Sequence, residues 1–302
     1  HIANTIIDGS NGLGTTTLIT DMSNGHNLSS TEMHGLIGLT LRKSKGALIE
    51  LSNAWLRRLI ITDNVTQANT SSPLIYLGGL IVMDSCQIID NQNFRPASLV
   101  NITGGYASNN YAILRNNTFQ NSRYQNVGLF FGDAANPYYR IIEGNRLTNL
   151  SGQGVHYVIQ LFTTSAVPVN STYRNNLIAR NTGGAIAYQI GNNDSLWIEG
   201  NTITQNSSGL TMVSTTGRFV QIANNIIAHN STNNSNQVAV QGTPKSPKVR
   251  LLFRNNFLST SSVTNAFANT TLLHYFDTVG SIQNVGGLAA FADTVAQDYR
   301  LS

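Results

Sequence analysis

Short apolar runs recur along this chain and are separated by polar pairs, glycines and serines. Seven segments align on a central polar pair: IVMDSCQIIDN from 81, AILRNNTFQN from 112, RIIEGNRLTN from 140, STYRNNLIARN from 171, LWIEGNTITQN from 196, VQIANNIIAHN from 220 and LLFRNNFLST from 251. The second members of these pairs lie 24 to 31 residues apart. No stretch carries the 3.6-residue period of an amphipathic helix. The pattern therefore predicts a repeat architecture built from strands.

A third strand-like run follows the aligned pair of runs in most repeats. These runs cover 99–102, 128–132, 156–162, 185–190, 210–214 and 238–242. Three short strands per repeat predict a coil whose turns stack on one another, which is a parallel β-helix of about ten rungs. We expect one domain over 1–302, with N-terminal rungs or a cap at 1–34, regular rungs at 35–270 and an end segment at 271–302.

Stacking of like residues on like follows from a coil whose rungs are ~4.8 Å apart. The predicted inward apolar stack is Met83, Leu114, Ile142, Tyr173, Ile198, Ile222 and Phe253. The predicted asparagine ladder runs through the second residue of each pair: Cys86, Asn117, Asn145, Asn176, Asn201, Asn225 and Asn256. Asparagine tolerates the left-handed conformation of a tight turn, and its amide can bond to the next rung. A further corner is expected near Asn91, Asn121, Asn149, Asn181, Asn206 and Asn230.

One outward column has alternating charge. The residues just before the polar pairs are Asp84, Arg115, Glu143, Arg174, Glu199, Ala223 and Arg254, and we call them the charge column. One interpretation is a ladder of surface ion pairs that fixes the register, because a slip by one rung would place like charges together. The alternative is a catalytic strip. The sequence favours the ladder.

The composition argues against several classes of protein and of binding site. Only 11% of the residues are charged, where a soluble domain has roughly 25%. The single cysteine, Cys86, excludes an internal disulfide and a cysteine-based zinc cluster, and we expect it to be structural. The net charge of +4 is spread along the chain, which argues against nucleic-acid binding. No apolar run approaches the ~20 residues of a membrane span.

At this point the sequence resembles the right-handed parallel β-helix repeat proteins of the pectate-lyase-like superfamily. The resemblance covers nearly the whole chain and includes NTIIDGSNG from residue 4, GLIGLTLRKSKGALIEL from 35 and FADTVAQDYRLS from 291. It implies an all-β, right-handed coil. It does not decide the function, because such repeats occur in enzymes, adhesins and spikes alike.

The family's enzymes supply the alternative function. Its polysaccharide lyases use an arginine or lysine base and acidic calcium ligands on one outer face. Under that resemblance Arg115, Arg174 and Arg254 would clamp substrate carboxylates or act as the base, and Glu143 and Glu199 would orient them. The arginines between the acids depart from the calcium pattern. The NTD, DD, GHG and RIK motifs of the β-helix polygalacturonases are absent from the sequence.

Surface recognition is the remaining candidate. Extra residues fall mainly before the strand of the charge column, at 104–111, 133–139, 163–170, 191–195 and 242–248. Insertions at one corner of a solenoid cluster on one face. One interpretation is a sugar-binding surface there, formed by Tyr106, Tyr111, Tyr138, Tyr139, Asn109 and Asn110. The alternative is that these tyrosines pack the loops against the coil.

The sequence thus predicts a secreted or cell-surface module, structural or adhesive, without cofactor or metal, and calcium belongs only to the lyase alternative. Expected partners are a polysaccharide or cell-surface glycan, and flanking domains or identical subunits at the solenoid ends. Nucleic acid and a membrane span are not expected. The candidates for N-glycosylation are Asn64, Asn69, Asn170, Asn193 and Asn269.

Overall fold

A computed structural model describes most of the regular part of the chain. The described residues are 2–3, 5–8, 19–20, 34–45, 48–66, 73–93, 98–103, 110–132, 138–152, 157–163, 168–191, 194–215, 219–230, 237–240, 250–260, 276–277, 282–285, 291–293 and 298–301. Every element among them is a β-strand. All neighbouring strands pair in parallel except one terminal pair, so these residues form a parallel β-solenoid, as predicted.

Three walls surround the core, and each rung runs through the first, second and third wall in turn. The first wall contains Ile2–Ala3, His34–Ile37, the later parts of Ile49–Arg57 and Ile75–Asp84, Asn110–Arg115, Tyr138–Glu143, Val169–Arg174, Ser195–Glu199, Phe219–Ala223, Arg250–Arg254 and Phe276–Asp277. From residue 54 to residue 254 these strands pair without a register shift. The outer surface of this wall is therefore regular.

The second wall gives the rung count. Among the described residues it stacks eleven strands: Ile6–Asp8, Thr40–Arg42, Ile60–Thr62, Gln87–Ile89, Thr118–Gln120, Arg146–Thr148, Leu177–Ala179, Thr202–Thr204, Ile226–Ala228, Phe257–Thr260 and Ile282–Val285. The number differs slightly from the predicted ten.

The third wall closes each rung. It contains Ile19–Thr20, the early parts of Ile49–Arg57 and Ile75–Asp84, Val100–Thr103, Val127–Phe131, Tyr157–Phe162, Gly184–Ile190, Ser208–Thr215 and Val238–Val240. Four short strands line the corner between the second and third walls: Val65–Thr66, Gln92–Asn93, Arg123–Tyr124 and Ser151–Gly152. Phe291–Asp293 and Asp298–Leu301 form a separate antiparallel pair.

The inward apolar stack of the first wall is confirmed. Met83, Leu114, Ile142, Tyr173, Ile198, Ile222 and Phe253 are in register, and all seven are fully buried. Burying a large apolar side chain contributes about 1.5–3 kcal/mol. Period-two alternation therefore places one face of every first-wall strand in the core.

The asparagine ladder at the corner between the first and second walls is also confirmed. The Nδ2 of each asparagine donates to the Oδ1 of the next one along the chain, from Asn117 to Asn256, over 2.9–3.0 Å. The backbone N–H of each donor residue bonds to the same Oδ1. The buried amides thus bond to one another and to the main chain, which is the arrangement that makes buried polar groups stabilising.

The left-handed turn and the ladder use different residues of each pair. The first residue adopts the positive φ, as at Asn116, Gly144 and Asn175, whereas the second residue supplies the ladder amide. The sequence interpretation assigned both tasks to the second residue and is corrected here. From residue 116 onward the first position is either asparagine or glycine, because both adopt a positive φ at low cost.

A second ladder lies between the second and third walls. Asn64 donates to Asn91 over 2.8 Å, and further along the chain Asn181 donates to Asn206 and Asn206 to Asn230. This corner was predicted near Asn121 and Asn149, and both residues lie in its turn. These two hold the positive φ outside the ladder, and the inward positions belong to Ser122 and Leu150.

Cys86 ends the first ladder. Its backbone N–H donates to the Oδ1 of Asn117, and in the two preceding rungs the same place is occupied by the buried Leu59 and Leu39. Burial raises the pKa of the Cys86 thiol from 9.0 to about 11. Along this corner Cys86 thus stands between the buried leucines of the preceding rungs and the hydrogen-bonded asparagines of the following rungs.

We expect the folded state to lose stability as the pH rises above about 9. Burial raises the pKa of Cys86 to about 11 and that of Tyr138 from 10.0 to about 12, and it also raises the pKa values of the buried Tyr124, Tyr173 and Tyr188. These groups lose their protons more readily in the unfolded chain, so rising pH favours unfolding between the unfolded and folded pKa values. Urea unfolding at a series of alkaline pH values measures the effect. A urea midpoint that does not fall as the pH rises would contradict the prediction.

Candidate functional site

The charge column lies on the outer face of the first wall and begins one rung earlier than the sequence indicated. Arg57 is in register with Asp84, and Asp84 with Arg115. Arg115 Nη2 lies 3.2 Å from Asp84 Oδ2, Arg57 Nε lies 3.9 Å from the same oxygen, and Arg174 Nη2 lies 2.9 Å from Glu143 Oε2. The arginine side chains remain about half exposed. Among the described residues the column thus contains two groups of ion pairs, Arg57–Asp84–Arg115 and Glu143–Arg174.

Asp84 is the most buried charged member of the column, with 9% of its side chain exposed. Desolvation acts to raise its pKa, but hydrogen bonds from Arg115 and Ser85 and the charges of Arg115 and Arg57 outweigh it. The pKa of Asp84 is therefore lowered. A lowered carboxyl pKa stabilises the fold above the usual carboxyl range, and this contribution is lost as the pH falls through the folded value.

The residues of the lyase alternative share this column. Arg115 and Arg174 each contact a neighbouring carboxylate, and Glu199 accepts a hydrogen bond from the Gln221 amide. Arg254 lies in the same column beyond Ala223. The arrangement brings the five candidate residues into one line but also places an opposite charge beside four of them.

The donor set of this column does not fit calcium. Calcium requires several oxygen ligands that converge on one point. In the column each acid is separated from the next by an arginine. Within the described ranges, no group of three or more His, Cys, Asp or Glu side chains could hold a metal ion.

The structure places three of the tyrosines predicted to form the sugar-binding surface on adjoining first-wall strands, and one of the three faces inward. Tyr139 has 58% of its surface exposed, and Tyr111 beside it in register is half-buried. Asn110 lies in the same strand as Tyr111, and Tyr106 and Asn109 lie outside the described residues. Tyr138 was predicted wrongly. Alternation turns it inward, where it is fully buried and its hydroxyl donates to the Gly79 carbonyl over 3.4 Å.

An interior arginine next to Tyr138 was missed by the sequence reasoning. Arg140 is 1% exposed, and its Nη2 donates to the Gly132 carbonyl. Its guanidinium lies 5.1 Å from the ring centre of Tyr138 and 5.8 Å from that of Phe131. Cation–π contacts of this kind help to stabilise a desolvated cation. The signal was available, because Arg140 lies two residues before the inward Ile142.

An outward apolar column was also missed. Next to the charge column, two positions earlier in each strand, lie Trp55, Val82, Ile113, Ile141, Thr172 and Trp197, which we call the apolar column. Trp55 is 38% exposed and the other five are half-buried. The Trp197 ring lies 5.5 Å from that of Phe219. The signal was a large apolar residue at an alternate, outward position in successive repeats.

The glycosylation candidates separate by burial. Asn64 is corrected, because it is fully buried and its Nδ2 donates to Asn91 in the second ladder. Asn170 is half-buried at an outward position of the first wall and remains a prediction. Asn69, Asn193 and Asn269 lie outside the described residues.

Comparison with known proteins adds one finding. The family model of the right-handed β-helix region matches residues 98–272, which is more than half of the chain. This span contains six of the second-wall strands described above, from Thr118–Gln120 to Phe257–Thr260. No curated protein and no solved structure matches the chain. In the described part of the chain, no helix has the length and apolar character needed to cross a membrane.

Proposed function

We propose that this chain, which belongs to the right-handed β-helix family, is a non-catalytic extracellular module with a structural or adhesive role. The proposal rests on the ion pairs that the arginines of the charge column already form within the chain. Arg115 and Arg174 are the groups a lyase would need for a substrate carboxylate, and each already lies within 3.2 Å of a carboxylate of its own chain. A substrate would have to displace these partners.

The ligand of this module is proposed to be a glycan. Tyr139 presents an exposed ring on the outer face, with Tyr111 and Asn170 on the neighbouring strands in the same register. A ring beside hydroxyl and amide groups suits stacking on a sugar together with hydrogen bonding. The serine-, threonine- and asparagine-rich composition and the sequons support a secreted or cell-surface location.

The first experiment separates scaffold from enzyme. The protein is incubated with a panel of acidic glycans, with and without calcium, and the absorbance of unsaturated products is followed. We expect no turnover. Turnover that is lost in Arg174→Ala but kept in Arg146→Ala would overturn the proposal. Arg146 serves as the matched control because it begins the second-wall strand Arg146–Thr148, away from the charge column.

The second experiment tests the ligand. On a glycan array we expect binding that Tyr139→Ala reduces by about tenfold or more, because stacking and hydrogen bonding are lost together. Tyr76→Ala is the control, since Tyr76 lies on the third wall, where its hydroxyl is 3.1 Å from Thr103 Oγ1. Equal losses in both variants would contradict a site at Tyr139.

A further inference from the structure

The outer face of the first wall presents two parallel columns over the same six rungs. Over these six rungs the charge column reads Arg57, Asp84, Arg115, Glu143, Arg174 and Glu199, before it continues to Ala223 and Arg254. Over the same rungs the apolar column reads Trp55, Val82, Ile113, Ile141, Thr172 and Trp197. A strip of outward apolar side chains, exposed at Trp55, half-buried elsewhere and interrupted only by Thr172, indicates an interaction surface.

The charge column is complementary to its own reverse. Three arginines alternate with three carboxylates, so the six formal charges sum to zero. An alternating row with an even number of members has the opposite charge at every position when it is read backwards. Arg57 is thereby matched with Glu199, Asp84 with Arg174, and Arg115 with Glu143.

We propose that this face docks a second copy of the chain around a two-fold axis. The axis runs parallel to the strands and passes between Ile113 and Ile141. It places every column opposite its own reverse, which is the condition for an isologous interface. Ile113 then faces Ile141 of the second copy, and the two tryptophans at the ends of the column, Trp55 and Trp197, face each other.

The same two-fold axis relates two tyrosines at the margin of the face. Tyr111 and Tyr139 are neighbours in register and lie in the same two rungs as Ile113 and Ile141. The axis therefore places Tyr111 opposite Tyr139 of the second copy. These two tyrosine pairs, one on each side of the axis, add aromatic contacts at the margin of the interface.

Register is fixed by charge. If the axis is moved so that the two copies slip by one rung, Arg57 faces Arg174 and Asp84 faces Glu143. Like charges brought face to face at an interface oppose that arrangement. The regular pairing of the first wall keeps the columns straight over these rungs, so that one register satisfies every row.

The area of the docking face indicates how tightly the two copies should associate. Six rungs at ~4.8 Å and three outward positions per strand cover roughly 30 Å by 20 Å, or about 600 Å² per copy. The total of about 1,200 Å² lies at the lower limit of specific interfaces. The dimer should therefore be weak and dependent on concentration.

This inference goes beyond the proposed function and does not depend on it. A second copy would cover Tyr139, so a glycan bound there would compete with the dimer. A variant that is monomeric but still binds glycan separates the two proposals.

Sedimentation equilibrium of charge-reversal variants tests the proposed arrangement of the two copies. Arg115→Glu alone brings the introduced carboxylate opposite that of Glu143 twice in a dimer, and Glu143→Arg alone brings two guanidinium pairs into contact. We expect each variant to raise the dimer dissociation constant about tenfold or more, and an equimolar mixture of the two to restore association. Only an interface that brings position 115 of one copy opposite position 143 of the other gives this rescue.

Arg146→Glu on the second wall is the control and should dimerise like the unmodified protein. Circular dichroism and urea unfolding verify that each variant is folded. A protein that is monomeric at all concentrations, or a dimer that is insensitive to both reversals, overturns the proposal. So does a mixture of the two folded variants that fails to associate.

Discussion

Asn201→Ala is expected to lower the free energy of unfolding by about 3–5 kcal/mol, the largest effect of any single substitution considered for this protein. Asn201 lies in the middle of the first ladder and is 1% exposed. Its Oδ1 accepts from the backbone N–H and the Nδ2 of Asn176, at 3.0 and 2.9 Å. Its Nδ2 donates to the Tyr173 carbonyl at 2.9 Å and to Asn225 Oδ1 at 3.0 Å.

Alanine removes both sides of this network at once. The backbone N–H of Asn176 loses its ladder acceptor in a region that water does not reach, and an unsatisfied buried group costs about 1–3 kcal/mol. The Tyr173 carbonyl loses a donor as well. The loss should exceed that of a surface amide severalfold.

Urea unfolding followed by circular dichroism measures this difference. Asn101→Ala is the matched control, because Asn101 is half-buried on the third wall and its buried Oδ1 has no hydrogen-bond partner among the residues that the structure describes. We expect the control to change stability by no more than about 0.5 kcal/mol. Similar values for the two variants would show that the ladder does not stabilise the coil.

Gly128→Ala is expected to cost about 2–3 kcal/mol because the third wall has no room for a methyl group at this position. A Cβ on Gly128 would lie 2.6 Å from the carbonyl oxygen of Val158. That oxygen belongs to the main chain of the next rung, so the clash is relieved only if two paired strands move apart.

Gly78→Ala is the control on the same wall. The nearest heavy atom to its Cβ, Thr103 Oγ1, is 3.8 Å away, which is an ordinary contact. The substitution should be neutral, or stabilising by about 0.4–1 kcal/mol, because alanine restricts the unfolded chain. The comparison fails if Gly128→Ala is as stable as Gly78→Ala.

The periodic positions of the coil could be predicted from the sequence. Neighbouring rungs repeat the same environment, so a residue type that recurs at one place in each repeat reports that environment several times. Leu114, Asn176 and Arg174 were assigned to the core, the ladder and the outer column in this way, and burial and register agree with each assignment.

The candidate site was predicted less well, because it depends on where the repeats differ. Tyr138 and Tyr139 look alike in the sequence, but the strand begins so that the first points into the core and the second into solvent. A shift of one residue reverses such an assignment. At the second corner the same sensitivity gives Asn121 and Asn149 the positive φ, whereas Ser122 and Leu150 point inward.

The sequence by itself determined the fold class, the inward stack, the first ladder and the alternation of charge, because each is a repeated local pattern that stacking converts into a column. The tertiary structure alone decided which residues of neighbouring rungs meet. It placed Arg57 beside Asp84, enclosed Arg140 between two aromatic rings and aligned Trp55 with Ile113, Ile141 and Trp197 on one outer face. The physical reason is that rung lengths vary, so the positions that coincide are set by strand pairing rather than by spacing along the chain.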